Sequence, residues 1–326
     1  MGVRSRRRRA RYAWILTLVV PLLRRARAWL LALRPEAAWR LGLRAGALLD
    51  RFAPGAAHVR ENLSVALGRP PRPEELARLK RAYWEHFALL FLETLRSPLI
   101  TAGNAHEYFA AEGLARARRL RQEEPGALIV VTGHTGPFPL LGHLGGLLGF
   151  KPVSLSKLSG HPDLDAFVQE TLGASGQRVI SATGALWPLK KALDRGESAG
   201  INVDQQARED PVFVPFLGVL CASSQTPAAL HLRTRAPIVV AWVERRGRFR
   251  YALHIEDVIR HPPGPDKAQD VLAITARLNA GLEAAIRRAP EQWFWSHRRF
   301  RRRPPGEREL VRIAGVPPLE LEPRGG

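Results

Sequence analysis

The chain has 326 residues, of which 45% are hydrophobic, so it is long enough to bury a core in one large domain or two. It carries 50 Lys and Arg against 30 Asp and Glu, a net charge of +20, and its arginines cluster near both ends. Such clusters favour binding to a polyanion, either nucleic acid or the phosphate-rich face of a membrane. The single cysteine, Cys221, excludes a disulfide framework and a cysteine-based metal site.

Residues 1–54 predict amphipathic helices that associate with a membrane. The uncharged stretch over 12–23 has twelve residues, whereas a helix that spans a bilayer needs about 20. Arginines follow it at once without a small-residue cleavage site, which disfavours a signal peptide. Two further apolar patches, over 29–33 and 39–49, and three tryptophans suit the interface of a membrane. The alternative is an ordinary helical subdomain with a basic tail.

The rest of the chain divides into a helical lead-in over 55–125, an α/β domain over 126–303 and a proline-rich tail over 304–326. In the lead-in, apolar residues at helical spacing predict a helix over 74–96. In the α/β domain, apolar and β-branched runs predict strands over 127–132, 152–156, 178–181, 198–203, 237–244 and 249–256. Helices are predicted over 138–148, 163–174, 185–194, 224–234 and 267–289. This alternation predicts a mainly parallel sheet with helices on both faces, and an antiparallel hairpin of the last two strands at its edge.

His134 is the first candidate for chemistry, because it directly follows a predicted strand. The run Leu128–Thr132 predicts a central parallel strand, Gly133 lets the backbone turn, and an apolar segment from Phe138 predicts the next helix. Reacting groups collect at the carboxyl ends of such strands. A neutral imidazole there can take a proton from a hydroxyl near pH 7, as acyl transfer to an alcohol requires. The alternative is a histidine that only hydrogen-bonds its own loop.

Several sequence blocks beginning at Glu61 occur in an order that is similar to a known family. They are Glu61-Asn-Leu-Ser-Val-Ala66, Gly133-His-Thr-Gly-Pro-Phe-Pro-Leu-Leu-Gly142, Ser159-Gly-His-Pro-Asp-Leu-Asp165, Arg178-Val-Ile-Ser-Ala-Thr-Gly184, Val203-Asp-Gln-Gln206, Val212-Phe-Val-Pro-Phe-Leu-Gly218 with Thr226-Pro227, and Pro290-Glu-Gln-Trp-Phe-Trp-Ser-His-Arg-Arg-Phe300. Over residues 55–303 the set resembles the bacterial late acyltransferases of lipid A biosynthesis, within the lysophospholipid acyltransferase family.

The resemblance implies an O-acyltransferase at the cytoplasmic face of the inner membrane. Such an enzyme moves a fatty acyl chain directly from acyl carrier protein or coenzyme A to a hydroxyl of a lipid A-type glycolipid, with a histidine as general base. The implied partners are therefore membrane lipids, the acyl thioester and the glycolipid acceptor. No metal, other cofactor or nucleic acid is implied, and an acyltransferase for a phospholipid or another glycolipid is the nearest alternative.

One position departs from the family's first motif. In that motif an acid follows the histidine after four intervening residues, and here Pro139 stands there, with no side-chain group that accepts a hydrogen bond. Either another acid substitutes, or catalysis is weak, or the chain is a catalytically silent lipid-binding relative. Asp204 is the candidate substitute, because it ends the apolar run 199–203 and would lie at the same sheet edge as His134. Alternatively, Asp204 caps the next segment or pairs with Arg208.

The resemblance also implies which residues bind substrate. They are Thr135, Gly136, Lys157, Arg208, Phe216, Gly218, Arg298 and Arg299. The cationic side chains among them would meet anionic headgroups and the phosphates of the donor. We expect His134, Asp204 and the segment 213–218 to converge on one cleft, whose mouth lies on the side of the N-terminal helices. A basic nucleic-acid-binding protein is a third possible class, although the sequence contains none of the standard nucleic-acid-binding modules.

Overall fold

The N-terminal part of the protein is helical. The computed structural model describes residues 19–52 and 56–321. Its first helices are α1 (residues 19–32), α2 (Pro35–Phe52), α3 (Ala56–Leu67), α4 (Pro73–Arg96), α5 (Ala105–Tyr108) and α6 (Ala111–Glu123). Residues 12–18 of the predicted uncharged stretch lie outside the described residues. Among the helices that are described, none is both long and apolar enough to cross a membrane.

A six-stranded sheet follows, and it confirms the predicted α/β architecture. Its strands are β1 (Ile129–Thr132), β2 (Pro152–Ser156), β3 (Arg178–Ser181), β4 (Ser198–Asn202), β7 (Ile238–Gly247) and β8 (Arg250–Ile259), in the spatial order β3-β2-β4-β1-β7-β8. The helices between and after them are α7 (Pro139–Leu147), α8 (Pro162–Leu172), α9 (Leu186–Asp194), α10 (Thr226–Thr234) and α11 (Lys267–Arg288). Neighbouring strands are parallel except β7 and β8, which form the predicted antiparallel hairpin at the edge.

A second, two-stranded sheet was not predicted. Strands β5 (Pro211–Phe216) and β6 (Val219–Ser224) are antiparallel and are joined by a two-residue turn. In that turn Leu217 and Gly218 have φ values of +48° and +78°, as a primed hairpin turn requires. β5 contains Pro211 and Pro215, and proline is disfavoured inside sheets, which weakens the strand pattern of this segment. The predicted start of α10, at 224, was two residues too early, because Ser224 is the last residue of β6.

The two faces of the large sheet differ. Odd-numbered residues of β1 and β4, such as Ile129 and Ile201, are buried in the largest hydrophobic core, which α9, α10 and α11 complete. Even-numbered residues, such as Val130 and Gly200, point to the opposite face, where they line a cavity. Side chains of α4, α6 and α7 form the other walls of this cavity. The sheet therefore separates a solid core from a hollow space that ends near His134.

Candidate active site

Strand register brings His134 and Asp204 together. Thr132, the last residue of β1, is paired in parallel with Asn202, the last residue of β4. Two residues further along each strand, His134 Nδ1 lies 2.8 Å from Asp204 Oδ1. The backbone N–H of His134 donates to the other carboxylate oxygen, Oδ2, at 2.8 Å. The structure thus joins the two residues that the sequence proposed as a pair.

Asp204 is fully buried and remains an anion. Besides the two bonds from His134, its Oδ2 accepts a hydrogen bond of 2.9 Å from the indole N–H of Trp293. Burial by itself would raise the pKa of Asp204, but the charge and hydrogen bonds of His134 outweigh burial and hold the pKa below its ordinary value. The nearby His297 is kept neutral, because burial lowers its pKa to about 4. Asp204 is therefore a charged acceptor that fixes the imidazole.

His134 is held in the tautomer of a general base. Burial lowers the pKa of His134, but the adjacent Asp204 carboxylate reverses this, so the pKa is raised above its ordinary value. Because Asp204 accepts from Nδ1, that nitrogen carries the proton and Nε2 carries the lone pair. The side chain of His134 is 25% exposed and lines the cavity. The pair can therefore accept a proton from a bound hydroxyl and stabilise the resulting imidazolium.

The turn after β1 is locked by the segment Pro290–Phe300. Gly136 has φ +58°, and a Cβ there would lie 1.7 Å from the Val243 carbonyl oxygen, so the position needs glycine. The N–H of Gly136 donates to the Gln292 carbonyl at 2.8 Å, and the N–H of Phe294 donates to the His134 carbonyl at 3.0 Å. Sequence reasoning found this segment as a motif but did not assign Trp293 or Gln292 to the site. Their position in the same terminal motif was the available signal.

The cavity has a volume of about 740 Å³ and mostly apolar walls. It follows β1 and its flanking residues from Leu128 to His134, six residue steps, which span at most about 20 Å at the rise of a strand. A bilayer core of about 30 Å holds two acyl chains end to end, so one chain needs about 15 Å. Small residues on the sheet face, among them Ser154 and Gly200, leave room for a chain. The cavity can hold a fatty acyl group with its reactive end beside the imidazole.

Some of the predicted substrate-binding residues line the cavity and others do not. Lys157 lines the cavity at the end of β2. Thr135 is buried in a bridge to Trp293, and Arg208 and Arg298 are exposed away from the cavity wall. Among the described residues, Lys157 is thus the member of the predicted set whose side chain borders the cavity.

The expected convergence of the segment 213–218 on the cleft is wrong. Phe216 is fully buried behind Asp204, with its ring 5.9 Å from that of Trp293, and Gly218 lies in the β5–β6 turn. Arg299, predicted to meet a headgroup, is also fully buried. Its guanidinium donates to the Ala222 carbonyl at 2.8 Å and lies 4.6 Å from the centre of the Phe216 ring. Phe216 and Arg299 are therefore part of the core beside Trp293 rather than of the cleft, and Gly218 lies in the turn.

Cys221 is not available as a nucleophile. It is buried on β6, and burial raises the pKa of its thiol to about 11. A buried thiol with a raised pKa is a poor nucleophile, so we assign no reactive role to Cys221.

The structure places a hydrogen-bonded His–Asp pair at one end of an apolar cavity in a mainly parallel α/β sheet, an arrangement that acyl transfer to a hydroxyl can use. The chain belongs to the bacterial lipid A biosynthesis acyltransferase family, whose sequence profile matches residues 4–302. It is 26% identical to the lipid A biosynthesis palmitoleoyltransferase of Escherichia coli (strain K12), over 83% of this chain and 87% of that protein. The lipid A biosynthesis acyltransferase of Shigella flexneri matches to the same extent. Over 36% of this chain and 38% of the relative, the identity to the lipid A biosynthesis lauroyltransferase of E. coli (strain K12) is 31%.

Family membership decides between the classes that the sequence left open. The protein is an acyltransferase of the lipid A biosynthesis family, which favours the enzyme class over a nucleic-acid-binding protein. The absence of an acid at Pro139 does not leave the histidine without a carboxylate, because Asp204 is hydrogen-bonded to it.

Proposed function

We propose that the enzyme transfers a fatty acyl chain from an acyl thioester to a hydroxyl of a lipid A-type precursor, with His134 as general base. The observation that carries the proposal is the His134–Asp204 pair at the end of the apolar cavity. The family supports acyl transfer to a lipid A-type acceptor. The donor would be an acyl carrier protein or coenzyme A thioester, and no metal or further cofactor takes part.

In the proposed step, His134 Nε2 takes the proton of the acceptor hydroxyl while that oxygen attacks the thioester carbonyl carbon. The carbonyl π electrons move onto oxygen, and they return as the carbon–sulfur bond breaks. The imidazolium then gives its proton to the departing thiolate. Asp204 stabilises the imidazolium throughout, and the raised pKa of His134 supports this role. The transfer is direct and forms no acyl-enzyme.

The mouth of the cavity is proposed to face the cytoplasmic leaflet of the inner membrane. Phe91 of α4 lines the cavity and is 56% exposed. Helix α2, which carries the exposed Leu48 and Phe52, packs closely on α4, because glycines such as Gly46 let the two helix backbones approach. Trp29 of α1 is exposed as well. These exposed apolar side chains would enter the membrane interface, and Phe91 would bring the cavity to that interface, so the lipid acceptor would not need to cross water.

The proposal is tested by measuring the rate of acyl transfer by the purified full chain in mixed micelles that contain a labelled acyl thioester and a lipid A precursor. We expect transfer by the wild type and a loss of about 10²–10⁴-fold in His134→Ala. The exposed His106, outside the cavity, gives the control variant His106→Ala, which should keep the rate. A donor shorter by two methylenes should lose roughly tenfold in kcat/KM, at about 0.8 kcal/mol per buried methylene.

Two results would contradict the proposal. Unchanged turnover in His134→Ala would show that another group removes the proton. A wild type that binds the lipid acceptor and transfers nothing would identify a silent relative, in spite of the His134–Asp204 pair.

A further inference from the structure

The side chain of Gln205 lies against the proposed base. Its amide nitrogen is 3.4 Å from His134 Nε2 and 3.5 Å from His134 Nδ1. Both distances are longer than an ordinary N–H hydrogen bond, and Nδ1 is already committed to Asp204. The side chain is exposed and lines the cavity. Gln205 thus presents amide N–H groups to the point where the cavity meets the imidazole.

The backbone that carries this amide is fixed. The buried Arg299 donates to the Gln205 carbonyl oxygen at 3.1 Å and to the Ala222 carbonyl at 2.8 Å. The preceding residue, Asp204, is held by its bonds to His134 and Trp293. The fixed backbone places the Gln205 side chain within reach of the base, and in this structure its amide lies 3.4 Å from His134 Nε2.

The position of the amide matches the place where charge develops in the proposed reaction. The acceptor oxygen must lie about 2.6–3.2 Å from His134 Nε2, and the thioester carbonyl carbon must be adjacent to that oxygen. A donor beside Nε2 is therefore within reach of the carbonyl oxygen. We propose that the Gln205 amide donates a hydrogen bond to the thioester carbonyl oxygen and holds the negative charge that this oxygen gains during attack. The inference rests on the proposed acyl transfer.

Cationic residues fit this role less well. Lys157 follows β2, which is two strand spacings or about 10 Å from β1 in the sheet. Arg299 is buried in the core, and its guanidinium N–H groups already donate to two backbone carbonyls and to the Ser223 hydroxyl. A cation at the position of the Gln205 amide would also lower the pKa of His134. A neutral amide does not oppose the increase in this pKa that Asp204 causes.

The first test compares two adjacent glutamines. Gln205→Ala should lower kcat by about 10²–10³-fold, the usual cost of one oxyanion donor, with KM little changed. Gln206→Ala is the matched control, because the Gln206 side chain accepts from the Arg302 N–H at 3.1 Å and is not part of the cavity wall. Melting temperatures should be unchanged in Gln205→Ala. Gln205→Glu keeps the size but loses the donor, and its carboxylate should also shift the pH profile of His134 upwards.

The second test does not depend on turnover. A ketone analogue of the donor, with CH₂ in place of sulfur and a ¹³C label on the carbonyl, is bound to the protein and examined by infrared spectroscopy. A hydrogen bond lowers the carbonyl stretching frequency, so the band should move up in Gln205→Ala and stay in place in Gln206→Ala.

The outcomes separate this inference from the proposed function. If Gln205→Ala keeps full activity while His134→Ala is inactive, the role of Gln205 is wrong and the proposed function stands. A reduced rate with an unmoved carbonyl band also overturns the inference. If His134→Ala retains activity, or the analogue does not bind the wild type, the proposed function fails together with it.

Discussion

Asp204→Asn is the substitution that the geometry of the site makes most informative. Oδ2 accepts two hydrogen bonds, from the His134 N–H and from Trp293, whereas Oδ1 accepts one, from the imidazole. An asparagine has a single oxygen, which satisfies most donors at the Oδ2 position. Its NH₂ group then faces Nδ1, and the imidazole must accept there. The ring changes tautomer, Nε2 gains a proton, and the lone pair that serves as base is lost.

The expected loss is large. A wrong tautomer costs about four decades of rate in the serine-protease triad, or about 5.5 kcal/mol in the barrier. The two hydrogen bonds to Oδ2 survive and the third becomes a neutral one of opposite direction, so the folded structure should persist, with a loss of at most about 1.5–3 kcal/mol from the missing charge. The assay is single-turnover acyl transfer at saturating donor, alongside thermal unfolding.

Asp270 provides a matched control. Its carboxylate accepts from His261 Nε2 at 2.8 Å and from the Gly264 N–H at 2.8 Å, far from the cavity. Asp270→Asn therefore repeats the chemical change without touching the site and should retain its rate. A kcat for Asp204→Asn close to that of Asp270→Asn would refute the assignment of Asp204 as the orienting acid.

Two further predictions concern pH and the turn after β1. Because Asp204 raises the pKa of His134 and catalysis needs the neutral imidazole, kcat/KM should fall as pH drops through a midpoint above the ordinary value of about 6.5, and a pH–rate profile checks this. The raised pKa also makes the protonated His134 stabilise the folded protein. This contribution is complete at pH values below the pKa of His134 in the unfolded chain and is lost as the pH rises through its pKa in the folded protein, which melting temperatures measured across pH check. Gly136→Ala should cost about 3 kcal/mol or more, from a positive φ and the clash with Val243, so its melting temperature should fall well below that of Gly149→Ala. Gly149 also has a positive φ but open space around it, so its variant should lose only about 1 kcal/mol; equal losses in the two variants would contradict the clash.

The sequence predicted the elements whose pattern is local. The β-branched run over 129–132 predicted β1 and the apolar run over 199–203 predicted β4, and the strand ends then placed His134 and Asp204 at one edge of the sheet. Local sequence patterns could not predict which side chains are buried by segments that are distant in the sequence. Arg299 contacts a carbonyl 94 residues earlier in the chain, and Trp293 contacts a carboxylate 89 residues earlier. Arg299 lies in a basic run and was expected to meet a headgroup. Its apolar surroundings come from the β5–β6 hairpin, which the sequence analysis did not predict.

The register of β1 and β4 explains how the site works without an acid at position 139. The position of the motif acid is occupied here by Pro139, the first residue of α7, beyond the turn that follows β1. Pro139 lines the apolar cavity, where a carboxylate would need a partner or solvent. Asp204 instead approaches from the neighbouring strand and lies on the core side, with three N–H donors to satisfy its charge. In the proposed mechanism an acid outside the cavity supplies the orienting function, and the wall along which the acyl chain is proposed to lie remains uncharged at that point.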